Sequence, residues 1–362
     1  MAARVTCPSG RAFFFESEEG ELSDGQFRVQ TLYTGLSAGT ELTFFKGTNP
    51  YLHSRWNGEM GVFEEGEPEL ELPLNFLGYM EVGRVVESRT PSALEGQTVG
   101  MAYGHKTGHT ADPRNELFVP LPDGVDPILG IYLAQMGPIC ANGLLHAASD
   151  LMGQNVHDLG DGVRGRNVLV TGGGVVGLLT GLFARHHGAA SVAVADRTHE
   201  RLEAAAGLGL LPLDENRIDA WRFCKETWHD GGRDRGADVV FQCRAHSANL
   251  HTALRSLRPQ GTVIDLAFYQ GGAPDLRLGE EFHHNGLSVR CAQINRVPRG
   301  LAHAWSRARL ARETADLLLA HGPAIRRYMI TDVIPLEEAP LFMADLAARR
   351  RHAIQAVFEV SG

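Results

Sequence analysis

The run Val168-Leu169-Val170-Thr171-Gly172-Gly173-Gly174-Val175-Val176-Gly177 decides the fold of this 362-residue chain. It begins in an apolar strand, 167–171, and ends in the first turn of a helix, 175–186. Between them the glycines keep the Gly-x-Gly-x-x-Gly spacing, and each has its own physical use. Gly172 permits a tight turn, Gly174 lets the backbone approach a pyrophosphate, and Gly177 lets the helix pack closely on the strand. The helix start at Val175 and Val176 offers free backbone N–H donors to that anion. A second strand, 191–195, leads into Asp196, where a carboxylate would bind the adenosine ribose hydroxyls. The segment reads as a dinucleotide-binding unit. Asp196 would repel a 2′-phosphate, which favours NAD, while Arg197 and Arg201 beside it leave NADP possible.

Outward from this motif, helices at 198–206 and 248–257 alternate with strands at 237–242, 261–266 and 287–294. That alternation implies parallel βαβ units, hence an α/β fold with a doubly wound sheet. The first part of the chain has a different texture. Phe27-Arg28-Val29-Gln30-Thr31-Leu32-Tyr33 alternates with period two, as a half-buried strand does, and 80–88 and 116–121 are further strand candidates. Loops are expected at 47–50 and 64–68. A helix over 142–151 and a polar stretch, 153–165, lead into the glycine motif. Beyond it, an Arg/Ala/Leu-rich helix is expected over 301–320, and a mixed tail over 328–360. The expected division is a β-rich domain at 1–143, a dinucleotide-binding domain at 144–298, and a segment at 299–362 that returns to the first.

Composition narrows the function. Hydrophobic residues make up 43% of the chain and charged ones 21%, enough apolar material for a packed core and too much for a disordered chain. The 43 acidic residues outnumber the 34 basic ones, a formal net charge of −9, so a nucleic-acid partner is not expected. With Lys46, Lys106 and Lys225 as the only lysines, a Schiff-base mechanism has few candidates. Cys7, Cys140, Cys224, Cys243 and Cys291 are odd in number and widely spaced, which fits neither a disulfide framework nor a clustered metal site. The N-terminus lacks the regions of a signal peptide, and the longest weakly polar run, 168–184, is short for a bilayer span. A cytoplasmic protein with a small-molecule substrate and no membrane partner is expected.

Together these segments resemble the medium-chain dehydrogenase/reductase superfamily over nearly the whole chain. Gly35-Leu36-Ser37-Ala38-Gly39-Thr40-Glu41-Leu42 resembles the Cys-Gly-Thr-Asp segment of its zinc-type alcohol and polyol dehydrogenases. Leu77-Gly78-Tyr79-Met80-Glu81-Val82-Gly83-Arg84-Val85-Val86 resembles their Gly-His-Glu segment, with phrasing close to the bacteriochlorophyllide dehydrogenase-like group. Gly261-Thr262-Val263 resembles the strand before the nicotinamide-side loop. The resemblance implies a GroES-like catalytic domain, then a Rossmann domain, with the tail completing the former. It also implies a homodimer paired along the edge strand 287–294. The family's zinc ligands, however, are replaced. Ala38 stands for the Cys and Tyr79 for the His, Met80 replaces the following Glu, and Cys140 alone lies near the third position. A structural zinc lobe is absent too. No zinc is therefore expected.

Without a metal, an O–H, N–H or cationic group must stabilise the alkoxide formed during hydride transfer. Tyr79, at the position of the zinc-binding His, is the first candidate. Thr40 matches the family's proton-relaying hydroxyl and Glu41 a neighbouring acid. Lys46, His53, Arg55 and Trp56 fall in the loop that frames the family's substrate pocket. A relocated metal site would draw on His105 and His109, with His53 and Cys140; the His186–His187 and His283–His284 pairs are expected in solvent. The reading that follows is a zinc-independent, NAD-dependent oxidoreductase interconverting a secondary alcohol and a ketone, on a polyol, cyclitol or other ring. Its alternatives are an NADPH-dependent, zinc-free enone or quinone reductase and a dinucleotide-binding protein without turnover.

Overall fold

The deciding run folds as the strand Asn167–Thr171, a glycine turn and the helix Val175–His186. A computed structural model describes residues 2–6, 11–17, 19–229 and 234–360. Cys7 and part of the N-terminal segment read for a signal peptide lie outside the described residues. Two compact units emerge, Met1–Gln135 with Ile330–Gly362, and Met136–Met329. These borders differ from the expected 143/144 and 298/299, because helices at both ends of the second unit bury their faces on each other. A side chain at Gly137, in the helix Met136–Met152, would overlap Thr314, in the helix Arg307–Tyr328.

The second unit is a six-stranded sheet, in the order Leu211–Asp214, Ser191–Asp196, Asn167–Thr171, Ala237–Gln242, Leu257–Asp265, Ser288–Cys291. Every neighbouring pair is parallel. Val168, Leu169 and Val170 are fully buried, as strands covered on both faces are. The order reverses between Asn167–Thr171 and Ala237–Gln242, and at such a switch point ligands bind beyond the carboxyl ends of the strands. Sequence reading overlooked Leu211–Asp214, an edge strand interrupted by Pro212, and the helix Ala220–Thr227. The long helix starts later than expected, at Arg307, where the Ser306 side chain accepts from the Arg309 N–H as its cap.

The first unit is a mostly antiparallel sheet. It runs Ile330–Pro335, Gln355–Glu359, Phe27–Gly35, Glu81–Ser88, Thr98–Met101, Val119–Pro120, with Gly108–Ala111 also paired to Phe27–Gly35. The tail enters through Gln355–Glu359, with Val357 opposite Gly35. Of the expected strand 116–121 only Val119–Pro120 pairs, because Glu116 turns to accept from the Asp112 N–H and to meet His109. Phe27, Val29, Val85, Val99 and Met101 form one apolar core of this unit. Among the described residues, no helix is long and apolar enough to cross a membrane.

Candidate active site

In the second unit the glycine turn has the shape a dinucleotide requires. Gly172 has φ +97°, a conformation that L side chains rarely adopt. A side chain at Gly177 would overlap the Gly172 carbonyl oxygen, so the helix can approach the strand only as glycine. A Cβ on Gly174 would meet nothing within 4 Å, leaving room before the helix start at Val175 and Val176. Opposite the turn, Asp196 is 1% exposed. Its carboxylate accepts from the Gly173 N–H at 2.8 Å and from the Arg197 and Thr198 N–H groups, each at 2.8 Å, with Arg201 Nη1 at 3.5 Å. Burial alone would raise its pKa, but these N–H groups and Arg201 outweigh burial and lower it. Sequence reading missed two neighbours. Glu215, its carboxyl pushed up by burial, is pulled the other way by Arg197 and Arg244, and the Arg244 Cβ lies 3.0 Å from where a Gly172 side chain would begin.

A second group missed in the sequence lies at the carboxyl ends of the central strands. Thr171 Oγ1 donates to Gln242 Oε1, Gln242 Nε2 donates to the Tyr269 hydroxyl at 3.1 Å, and that hydroxyl donates to Asp265 Oδ2 at 3.0 Å. Burial raises the Asp265 carboxyl.

The first unit brings Tyr79 and Thr40 together. The Tyr79 hydroxyl is hydrogen-bonded to Ser37 Oγ and lies 3.4 Å from Thr40 Oγ1. Glu41 stands behind them, 2% exposed. Its Oε1 accepts from the Ser37 N–H at 2.7 Å and its Oε2 lies 2.7 Å from His105 Nε2. His105, 1% exposed, places Nδ1 2.6 Å from Thr34 Oγ1, which donates to Glu81 Oε1 at 2.9 Å. Glu81 is fully buried and its Oε2 accepts from the Tyr103 N–H at 2.7 Å. Thr34 Oγ1, which donates to Glu81, turns a lone pair to Nδ1, so both ring nitrogens face oxygen atoms. Burial pulls the His105 pKa down, but Glu41, with Glu81 behind it, raises it overall. Burial raises Glu81, against the opposing pull of His105 and the Tyr103 and Gly104 N–H groups. Ser37, Thr34 and Glu81 were not singled out in the sequence. The available signal was Glu81 itself, a carboxylate at the head of an otherwise apolar strand start.

The residues of the metal alternative each have other partners. His109 meets Glu116 at 2.6 Å and stacks on Tyr103, His53 Nε2 donates to the Gly47 carbonyl at 2.7 Å, and His105 is taken by Glu41. Ala38 offers no donor atom. The Cys140 thiol donates to the Val176 carbonyl at 3.5 Å, and burial pushes its pKa up to about 12. Among the described residues, the one trio of side chains close enough to share an ion is His251, Glu280 and Glu281, elsewhere in the second unit, where Arg255 and Arg277 already pair with the carboxylates. Of the expected pocket residues, Lys46 is exposed at the end of its helix, Arg55 pairs with Glu64 at 3.8 Å, and Trp56 packs on Phe63. His283, His284 and His186 are exposed as expected; His187 is not, being half-buried and stacked on Phe183.

The chain is similar to known dehydrogenases. A family model described as zinc-binding dehydrogenase matches residues 175–307. The D-guloside 3-dehydrogenase of Shigella flexneri is 25% identical over 337 residues, covering 91% of each chain. D-xylulose reductase A of Aspergillus oryzae is 27% identical over 176 residues, 48% of this chain and 45% of the relative. The solved alcohol dehydrogenase from Thermus sp. ATN1 shares the fold over 100% of both chains, with a TM-score of 0.73 at 20% identity.

Proposed function

The chain belongs to the medium-chain dehydrogenase/reductase superfamily, a family of nicotinamide-dependent oxidoreductases, and from that premise we propose that it interconverts a secondary alcohol and its ketone without zinc, using NAD. The observation that carries this reading is the gathering of Ser37, Thr40 and Tyr79 hydroxyls at the segments where the family binds its metal. The two relatives act, by their names, on a D-guloside and on D-xylulose, which supports a polyol, cyclitol or other ring alcohol as the substrate class.

NAD, held at the turn of Gly172, Gly174 and Gly177 and by Asp196, would supply the hydride acceptor for alcohol oxidation, and NADH the hydride donor for ketone reduction. The chain's own residues hold the rest. Gly172, Gly174 and Gly177 shape the pyrophosphate turn, Val175 and Val176 present N–H groups to it, and Asp196 meets the ribose hydroxyls. Its charge disfavours a 2′-phosphate. The Tyr79 hydroxyl, oriented by its hydrogen bond to Ser37 Oγ, accepts the alcohol proton as the carbonyl forms and releases its own proton to solvent at its half-buried face, and reverses this for reduction. Thr40 Oγ1 is the second acceptor within reach. Glu41 acts behind them, through the Ser37 N–H. Lys46, His53, Arg55 and Trp56 are assigned to the rim that receives the substrate. The proposal includes a cytoplasmic homodimer formed along the edge strand Ser288–Cys291, which ends the sheet and leaves Val289 exposed.

The test combines metal analysis of dialysed protein, NAD and NADPH titrations, and turnover of a D-guloside with NAD and of D-xylulose with NADH. Substoichiometric zinc, tighter NAD binding and turnover are expected. Stoichiometric zinc would overturn the metal-free reading. NADPH preference with turnover of an enone or quinone alone would replace the reaction by double-bond reduction, and binding without turnover would leave a dinucleotide-binding protein.

A further inference from the structure

We infer that His105 is a positioning residue, a clamp between the start of the helix Ala38–Phe45, which carries Thr40 with Ser37 at its cap, and the loop carrying Tyr79. Its kinetic consequence rests on the proposed function; its geometry does not. On one side, Nε2 meets Glu41 Oε2 at 2.7 Å, and the other oxygen of that carboxylate holds the Ser37 N–H at 2.7 Å. Ser37 is the residue whose Oγ bonds the Tyr79 hydroxyl. On the other side, the His105 N–H donates to the Leu77 carbonyl at 2.7 Å. Gly78, with φ +93°, leaves bare the space the ring fills, since a Cβ there would lie 2.9 Å from the His105 ring and backbone. His105 therefore meets both sides of the hydroxyl cluster, the Glu41 side through its ring and the Leu77–Gly78 side through its backbone and ring, with the side chain buried.

Two other roles fail on the same geometry. Both ring nitrogens are engaged and the ring is 1% exposed, so it cannot exchange a proton with a substrate directly. As a metal ligand it would need partners beyond Glu41, and among the described residues no trio includes it. Nor does a buried ion pair contribute much net stability, because desolvation offsets its attraction. What the pair supplies is geometry. The groups that face the ring are Glu41 from the helix Ala38–Phe45, Thr34 from its strand, Glu81 behind Thr34, and the Phe358 ring edge at 5.3 Å. Tyr103, hydrogen-bonded to Thr31, lies on the far side of Glu81.

The test needs no substrate. In full-length protein carrying 13Cζ-labelled tyrosine, Tyr79→Phe identifies the Tyr79 resonance, and its titration midpoint is followed in wild type, His105→Gln and Glu41→Gln. We expect both variants to move that midpoint by at least about half a pH unit. The dissociation constant for NAD should stay within about twofold. 15N-labelled histidine should show one ring protonated on both nitrogens at neutral pH, lost in His105→Gln. An unmoved Tyr79 midpoint, or a neutral His105 ring, overturns the inference. If His105→Gln does not fold, Thr34→Val, which removes the Nδ1 partner, is read in the same way. Where D-xylulose and NADH turn over, kcat should fall about tenfold with KM little changed, the pattern of lost alignment. Absence of turnover in wild type would overturn the proposed function and leave the spectroscopic result standing.

Discussion

At the residue scale, Tyr79 and Asp196 make opposite kinds of contact. Tyr79 meets its partners through side-chain hydroxyls, which a Phe ring would leave without a proton to exchange. Tyr79→Phe should lower kcat by about a hundredfold or more, as loss of a general acid–base group does, with NAD affinity unchanged in a fluorescence titration. Asp196 is bonded to the Gly173 N–H in the dinucleotide turn and to the Arg197 and Thr198 N–H groups that follow its own strand. Asp196→Ala should therefore weaken both dinucleotides through a loosened turn, and NAD more than NADP because the repulsive charge is gone; an unchanged preference would sink the ribose assignment. His105 makes a pH prediction. Its folded pKa is raised, so its contribution to stability is complete below the unfolded value of about 6.5 and is lost as pH rises through the folded value. Chemical denaturation at pH 6 and pH 9 should show wild type losing part of its advantage over His105→Gln at the higher pH.

At the element scale, local patterning fails where packing or capping overrides it. The strand Asn167–Thr171 and the helix Val175–His186 fall where expected, since a buried apolar run and a glycine turn leave the backbone few choices. The helix Arg307–Tyr328 starts later than its composition suggests, because its boundary is set by the Ser306 cap and not by where the Arg/Ala/Leu pattern begins. Gly177 offers the sharpest test at this scale. Gly177→Ala would drive a methyl into the Gly172 carbonyl oxygen, moving the first helical turn off the strand. It should cost about 1–3 kcal/mol of stability and weaken NAD binding by at least about tenfold, read by thermal unfolding and titration.

At the scale of the whole molecule, the chain leaves the first unit at 136 and returns at 330, so one sheet is built from both ends of the sequence. On the proposed dimer, Val289→Arg should shift gel-filtration elution from dimer to monomer, since a charge on the edge strand opposes pairing. The dinucleotide turn was legible from the sequence alone because its requirements are local: a left-handed glycine, a close helix approach and an acid after the next strand. Tyr79, Thr40 and Glu41 were legible only through resemblance, and their actual partners were not. Thr34 meets Glu81 because the two are register partners across the strands Phe27–Gly35 and Glu81–Ser88. His105 reaches Glu41 across 64 positions of sequence. Such contacts depend on which strands pair and in what register, a property of the assembled sheet rather than of any short segment. The sequence by itself determined the dinucleotide fold, whose requirements are local; the tertiary structure alone decided that a buried Glu–His–Thr–Glu chain stands behind the Ser37 and Tyr79 hydroxyls, because its members meet only through strand pairing.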